Sequence, residues 1–253
     1  MGAFLASQVM LALILAGCGA TFDYEALRRL DGGDLCDGMS GMNIKVTAHT
    51  LPQALAELGD RDPDMAVARA RAGEPPLRRR PAGFATLLRI IIAQQVSTAS
   101  ARAISSRLDK AARPLTPETF LALDDHALGA IGFSRQKVGY GRGLAIEVSE
   151  GRLALDQLAR LDDEAAITEL TAVKGIGRWT AEIYLMFALG RRDVWPAADL
   201  GLAQAAQHLK GMKERPDPKK MMELGEAWRP WRSVASLLLW HYLHEVPADS
   251  KGP

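Results

Sequence analysis

The sequence predicts an all-α fold, and two observations predict it: its apolar segments carry helical spacing or are rich in the helix formers Ala and Leu, and Gly and Pro break them apart, while strand signals are scarce. In chain order the predicted helical segments are 84–108, 117–130, 137–148, 164–173, 178–189, 200–209 and 231–244. The fourth has a capping carboxylate in Asp162 or Asp163. The fifth, from Arg178 to Leu189, is stopped by Gly190. The sixth starts after Asp199, a preferred N-cap residue. Residues 71–82, Arg-Ala-Gly-Glu-Pro-Pro-Leu-Arg-Arg-Arg-Pro-Ala, read as a connector rich in proline and arginine, and no internal repeat is evident.

A chain of 253 residues with 48% hydrophobic content can bury one large core or two modest ones. The net charge of +1 excludes a protein that coats nucleic acid through bulk electrostatics, so any such contact is local. Arg78–Arg80, Arg135 with Lys137, Lys174 with Arg178, Arg191 with Arg192, and Lys219 with Lys220 are the candidate basic patches, against the plainer reading of solvated surface. The two cysteines, Cys18 and Cys36, cannot supply a four-thiolate cluster, and neither iron, structural zinc nor any other cofactor is expected.

The most informative stretch is Leu170-Thr-Ala-Val-Lys-Gly-Ile-Gly-Arg-Trp-Thr-Ala181, with Asp199 twenty residues after Trp179. Gly175 and Gly177 fall in a turn between two helices, where glycine tolerates unusual backbone angles and lets a ligand approach the main chain. The unpaired N–H groups that open the second helix then suit an anion such as a DNA phosphate. Taken alone, Gly-Ile-Gly is an ordinary helix-helix turn and Asp199 an ordinary cap.

They do not stand alone. The hairpin, Asp193-Val-Trp-Pro-Ala-Ala-Asp-Leu-Gly-Leu202, Phe84 to Ala93 with Gln94-Gln-Val-Ser97, Ile131-Gly-Phe-Ser-Arg-Gln-Lys137, and Trp228-Arg-Pro-Trp-Arg-Ser-Val-Ala235 through Trp240 occur in the order found in one family. Over about residues 75–245 the chain resembles the helix-hairpin-helix superfamily of DNA glycosylases, its 3-methyladenine DNA glycosylase II branch in particular. The resemblance implies two helical lobes with an active-site cleft between them: 113–199 as the hairpin lobe, and 42–112 plus 200–253 as the other. It implies a monomer acting on double-stranded DNA that contains alkylated bases, in the cytoplasm at the nucleoid and away from membranes.

The same resemblance makes Asp199 the catalytic carboxylate, kept ionised at the positive end of its helix. It assigns Trp179 and Trp240 to the pocket for a flipped-out base, Gln95 to the duplex wedge, and Lys174, Gly175, Ile176, Gly177 and Arg178 to phosphate binding. Members with lyase activity carry a lysine two residues after the second hairpin glycine. Here that position is Trp179, which implies hydrolysis by water alone. Ile183 stands where a relative has a pocket tyrosine, and Tyr184 would face elsewhere. Trp231, Arg232 and Ser233 read as structural, with Arg232 able to pair with an acid. Broader base choice, or a helix-hairpin-helix protein that only holds DNA, are the alternative functions.

The N-terminus is discordant. Val9-Met-Leu-Ala-Leu-Ile-Leu-Ala16 followed by Gly17-Cys18 resembles an export signal of lipoprotein type, yet no Lys or Arg precedes the apolar run. At 20 residues or fewer the segment makes a poor membrane anchor. Residues 1–41 are therefore expected to be a non-native or poorly ordered extension, with Met42 as an alternative start.

Overall fold

A computed structural model describes residues 45–246, in which twelve α-helices, a 3-10 turn (Gln157–Arg160), a π-helical turn (Leu185–Leu189) and one isolated β-bridge, Lys45 to Arg191, account for the regular structure. The expectations for residues 1–41, with both cysteines, fall outside the described residues. The helices are α1 (Thr50–Arg61), α2 (Pro63–Ala72), α3 (Phe84–Ala93), α4 (Thr98–Ala111), α5 (Pro117–Leu121), α6 (Asp125–Ile131), α7 (Arg135–Ser149), α8 (Asp163–Thr171), α9 (Arg178–Tyr184), α10 (Leu200–Leu209), α11 (Pro218–Glu226) and α12 (Arg232–Glu245).

Two of the expected helices divide, for local reasons. Within 84–108, α3 ends where Gln94 turns extended and Gln95 takes φ +55°, and α4 restarts at Ser97, whose side chain accepts the Ser100 N–H. Within 117–130, the Asp124 carboxylate accepts the Ala127 N–H and opens α6 after the short α5. Three helices were not read from the sequence. Of these, α2 and α11 begin with the same signature, an Asp cap followed by Pro: Asp62-Pro63 and Asp217-Pro218. The Arg178–Leu189 segment does stop at Gly190 (φ +71°), but its last turn, Leu185–Leu189, widens to a π-turn.

Helix α3 is buried around most of its circumference, from Phe84 to Ala93, and forms the centre of the larger packing group. It contacts α4, α7 and α9, while α5 packs on α7 and α8 on α9. A second group joins α1, α2, α10 and α12. The packing places α3 against α9, the second hairpin helix, and α4 against α3 and α6.

Hydrogen bonds tie the two groups. The Val46 N–H donates to the Gly190 carbonyl (2.9 Å) and Arg79 Nη2 donates to the Val46 carbonyl (2.8 Å), while within the larger group the Gly83 N–H donates to the Tyr184 hydroxyl (2.8 Å). In the second group Asp62 accepts from Lys210 Nζ (2.8 Å) and Trp228 Nε1 (2.9 Å), closing α1–α2 onto the C-terminal third of the chain. No described helix is long and apolar enough to cross a membrane.

Candidate active site

Asp199 caps α10, and only 8% of its surface is exposed. Its Oδ1 accepts the Leu202 N–H (2.8 Å) and Trp240 Nε1 (3.1 Å), and its Oδ2 accepts Trp179 Nε1 (2.8 Å). The helix cap therefore aims one edge of the carboxyl inward, and two indoles from α9 and α12 grip it. Burial pushes the Asp199 pKa above its ordinary value, with the Leu202 N–H, the two indoles and the Gly201 N–H pulling the other way. Desolvation and the helix end thus act in opposite directions on this group, the cap N–H groups and the indoles favouring its ionised form.

The two tryptophans differ. Trp240 is fully enclosed, stacked on Phe187 with ring centroids 6.0 Å apart, and presents no face to solvent. Trp179 is half-buried and keeps part of its ring open. Ile183 and Tyr184 are both wholly buried.

The hairpin runs from Ala172 to Gly177 between α8, capped by Asp162, and α9, which no side chain caps. Its two glycines are not equivalent. Gly175 has φ +96° and lies so close to the Tyr140 ring that a Cβ there would sit 2.3 Å from Cγ. Gly177 has φ −88°, is exposed, and has nothing within 4 Å of its Cβ direction. Lys174 is exposed beside them.

Two of the residues assigned to phosphate contact are otherwise engaged. The Ile176 side chain is buried at 4% exposure, and its N–H donates to the Val173 carbonyl (3.0 Å). The Arg178 guanidinium pairs with Glu164 and, through Nε, with Glu182 (3.0 Å). What α9 offers an anion is its uncapped first-turn main chain.

The loop before α4 is built as one piece with the hairpin. Gln94 Nε2 donates to the Gly175 carbonyl and to Thr180 Oγ1, both at 3.0 Å. Lys137 Nζ reaches the Ile92 and Gln94 carbonyls at 2.6 Å each, stopping α3, and burial lowers its pKa to about 8. Between them stands Gln95, exposed, with φ +55°, the one non-glycine with positive φ among the described residues. Gln94, Tyr140 and Thr180 were not singled out from sequence. Gln94 had a signal in its repeat of Gln95, whereas Tyr140 had none.

Of the other basic candidates, Arg191, Arg192 and Arg232 are engaged within the fold. Arg191 is buried, bonding to the Leu158 and Leu161 carbonyls (3.0 and 2.6 Å) and pairing with Asp163. Arg192 lies over the Trp231 ring, 5.4 Å from its centroid, and Arg232 pairs with Asp193 (2.8 Å). Arg135, Lys219 and Lys220 are exposed, and Lys220 pairs with Glu223. Among the described residues no group of three or more His, Cys, Asp or Glu is arranged to hold a metal. A surface cavity lined by Leu77, Arg78, Met186, Phe187 and Leu237 includes none of Asp199, Trp179 or Trp240.

Residues 88–230 match the HhH-GPD superfamily of base excision DNA repair proteins. A putative DNA-3-methyladenine glycosylase of Bacillus subtilis is 36% identical over 124 residues, covering 49% of this chain and 43% of the relative. DNA-3-methyladenine glycosylase 1 of Schizosaccharomyces pombe is 32% identical over 161 residues, covering 62% of this chain and 71% of the relative. This chain therefore spans less than half of the first relative and under three quarters of the second. Among solved structures, an S. pombe 3-methyladenine DNA glycosylase in complex with abasic DNA superposes with a TM-score of 0.70 at 29% identity, over 74% of this chain and 95% of that one.

Proposed function

Because the chain belongs to the HhH-GPD superfamily of base excision DNA repair proteins, we propose that it is a DNA glycosylase that hydrolyses the N-glycosidic bond of alkylated purines, 3-methyladenine and 7-methylguanine among them, without lyase chemistry. The observation that carries this is the Asp199 carboxyl held by two indoles, next to a hairpin whose first-turn amides are uncapped. The similarity to relatives named DNA-3-methyladenine glycosylases supports the choice of base.

In this reading the hairpin's main chain around Gly177, with Lys174, binds a phosphate beside the lesion. Gln95, held in its left-handed conformation by Gln94 and Lys137, enters the duplex as the damaged base leaves it. A cationic base is drawn to the open part of the Trp179 indole. As its C1′–N bond breaks, the bonding electrons leave with the base and positive charge grows on the sugar. Asp199, ionised and screened from water, stabilises that charge. A water molecule adds to C1′ and gives its proton to Asp199, which passes it to solvent. The products are a neutral free base and an abasic sugar. An alkylated purine is already a good leaving group, so one carboxylate suffices.

No amine occupies the position of the lyase lysine. Trp179 stands there, its N–H committed to Asp199. We place the enzyme on chromosomal DNA inside the cell, working as a monomer. The test is incubation of the purified protein with methylated duplex: free 3-methyladenine should appear, strands should break only after alkali, and borohydride should trap no covalent complex. Release of no base at all would reject the assignment, and a trapped adduct lost in Lys174→Ala would make Lys174 the nucleophile.

A further inference from the structure

We infer that Trp240 and Trp179 are positioning residues that fix Asp199 through its two oxygens, leaving one lone pair on Oδ2 as the reactive one. This rests on the glycosylase reading above. An ionised carboxylate offers about four acceptor sites, two per oxygen. Oδ1 is filled by the Leu202 N–H at 2.8 Å and Trp240 Nε1 at 3.1 Å, with the Gly201 N–H beside them. Oδ2 uses one, on Trp179 Nε1 at 2.8 Å. The remaining site on Oδ2 is the one open to a sugar cation or a water.

Trp240 acts only through Asp199. It is 0% exposed and shielded by Phe187, so it has no face on which a base could stack. Its N–H comes from α12 while the cap N–H comes from α10, which pins Oδ1 from two independent helices. Gly201 completes the fit, since a Cβ there would lie 3.1 Å from Oδ1 and 3.6 Å from the Trp240 ring. Trp179 has two duties, an edge that holds Oδ2 and a partly open ring that meets the base.

Among the described residues the side chains that donate to Asp199 are the uncharged indoles of Trp179 and Trp240. On the helices that bring the indoles, Arg178 pairs with Glu182 on α9, while on α12 Arg232 pairs with Asp193 and His241 faces Glu245, with His244 a turn from the latter pair's start. His208 lies at the far end of α10. Glu182 lies on the helix that brings Trp179, and burial pushes its pKa up to about 7, so Glu182→Gln serves as the control background.

All five tryptophans donate through Nε1: Trp195 to the Met221 carbonyl, Trp228 to Asp62, Trp231 to Glu57, and the remaining two to Asp199. Their indole N–H resonances, assigned by single Trp→Phe changes, can be followed against pH in the intact protein. The Trp179 and Trp240 signals are expected to move with one shared midpoint above that of an ordinary aspartate, to stay still in Asp199→Asn, and to keep their midpoint in Glu182→Gln. The Trp228 and Trp231 signals should move at lower pH, because Asp62 and Glu57 are held below their usual range.

In kinetics, Trp240→Phe should lower kcat roughly ten- to hundredfold, the worth of a hydrogen bond to a charged group. It should leave KM within about twofold, since no substrate contact is lost. The acid limb of kcat should shift to higher pH, because an ionised carboxylate loses a donor. Independent titration of the two indoles, or a Trp240→Phe enzyme with changed KM and an unmoved pH profile, would overturn the positioning role. If no base is excised by the wild-type protein while the indoles still titrate together, the clamp stands and the glycosylase assignment fails instead.

Discussion

Alanine at Gly177 is expected to weaken DNA binding at almost no cost in stability, and alanine at Gly175 to cost mainly stability. At Gly175 the new Cβ lands 2.3 Å from Tyr140 Cγ and 2.6 and 2.7 Å from the two Cδ atoms, and the ring cannot retreat freely because its hydroxyl accepts Gln136 Nε2 at 2.7 Å. Overpacking of that kind costs about 1–3 kcal/mol. The backbone at φ +96° adds about 1–2 kcal/mol for any residue with a Cβ. At about 2–4 °C per kcal/mol for a chain of this size, Tm should fall by on the order of 10 °C. At Gly177 the backbone is extended, with φ −88° and ψ 169°, and no atom lies within 4 Å, so Tm should move by no more than about 2 °C. The added methyl stands at the mouth of the α9 amides, and the affinity for duplex DNA should drop roughly three- to tenfold, the worth of one net hydrogen bond. Because phosphate contacts carry no base information, damaged and undamaged duplexes should lose equally. Thermal unfolding and fluorescence anisotropy at fixed salt read both quantities. A Gly177→Ala protein that melts like Gly175→Ala, or that binds undamaged duplex as the wild type does, would refute the division of labour.

Asp199→Asn should reduce single-turnover excision by on the order of 10²-fold or more while DNA binding stays nearly intact; a rate within a few-fold of wild type would sink the catalytic assignment. Gln95→Gly relieves a left-handed non-glycine residue, so Tm should hold or rise, while base flipping, read by 2-aminopurine fluorescence opposite the lesion, should fall roughly tenfold by loss of about 1–1.5 kcal/mol of wedge contact; unchanged flipping would remove Gln95 from that role. Burial raises the Glu182 pKa from 4.5 to about 7, so the folded protein holds a proton that the unfolded chain has released between those values. Its contribution to stability, about 3 kcal/mol, is full below pH 4.5 and is lost as pH rises to about 7. Urea midpoints of the wild type should decline across that window relative to those of Glu182→Gln, and parallel curves would contradict it.

The parts of the site that lie along one stretch of chain are written in local chemistry. Asp199 as a cap, the Gly-Ile-Gly turn and the stop at Gly190 each follow from what one residue does to its own backbone, and each is where that chemistry puts it. The grip on Asp199 is different in kind. Trp179 and Trp240 lie 20 and 41 residues away, and their hydrogen bonds exist only once three helices have packed. Trp240 in Leu237-Leu-Leu-Trp-His-Tyr-Leu243 has the same apolar neighbours whether it faces a cleft or a carboxylate. Gly175 likewise reads as a ligand-facing glycine until Tyr140 is seen against it. The division of 84–108 was hidden because apolar spacing runs through Gln94–Ser97, and only the backbone of Gln95 breaks it. Arg178 carried a charge suited to phosphate, but the carboxylates that claim it come from a preceding helix and from its own next turn.

The long reach of the Trp240 contact also sets the order in which the enzyme comes into being. Chain emerging from a ribosome can form the local contacts of α8 and α9 as soon as they are made, because α9 packs on its immediate predecessor. Asp199 then follows with its cap and one indole, but the second indole is supplied by the last described helix, which also packs on α1, α2 and α10. Helices α1 and α2 therefore wait through the synthesis of most of the chain before their partner arrives, and closing that loop is the costly late step. A chain lacking α12 keeps the hairpin sequence but can grip the Asp199 carboxyl only through its cap and Trp179, so on the proposed function the phosphate-binding turn is complete before the bond-cleaving group is.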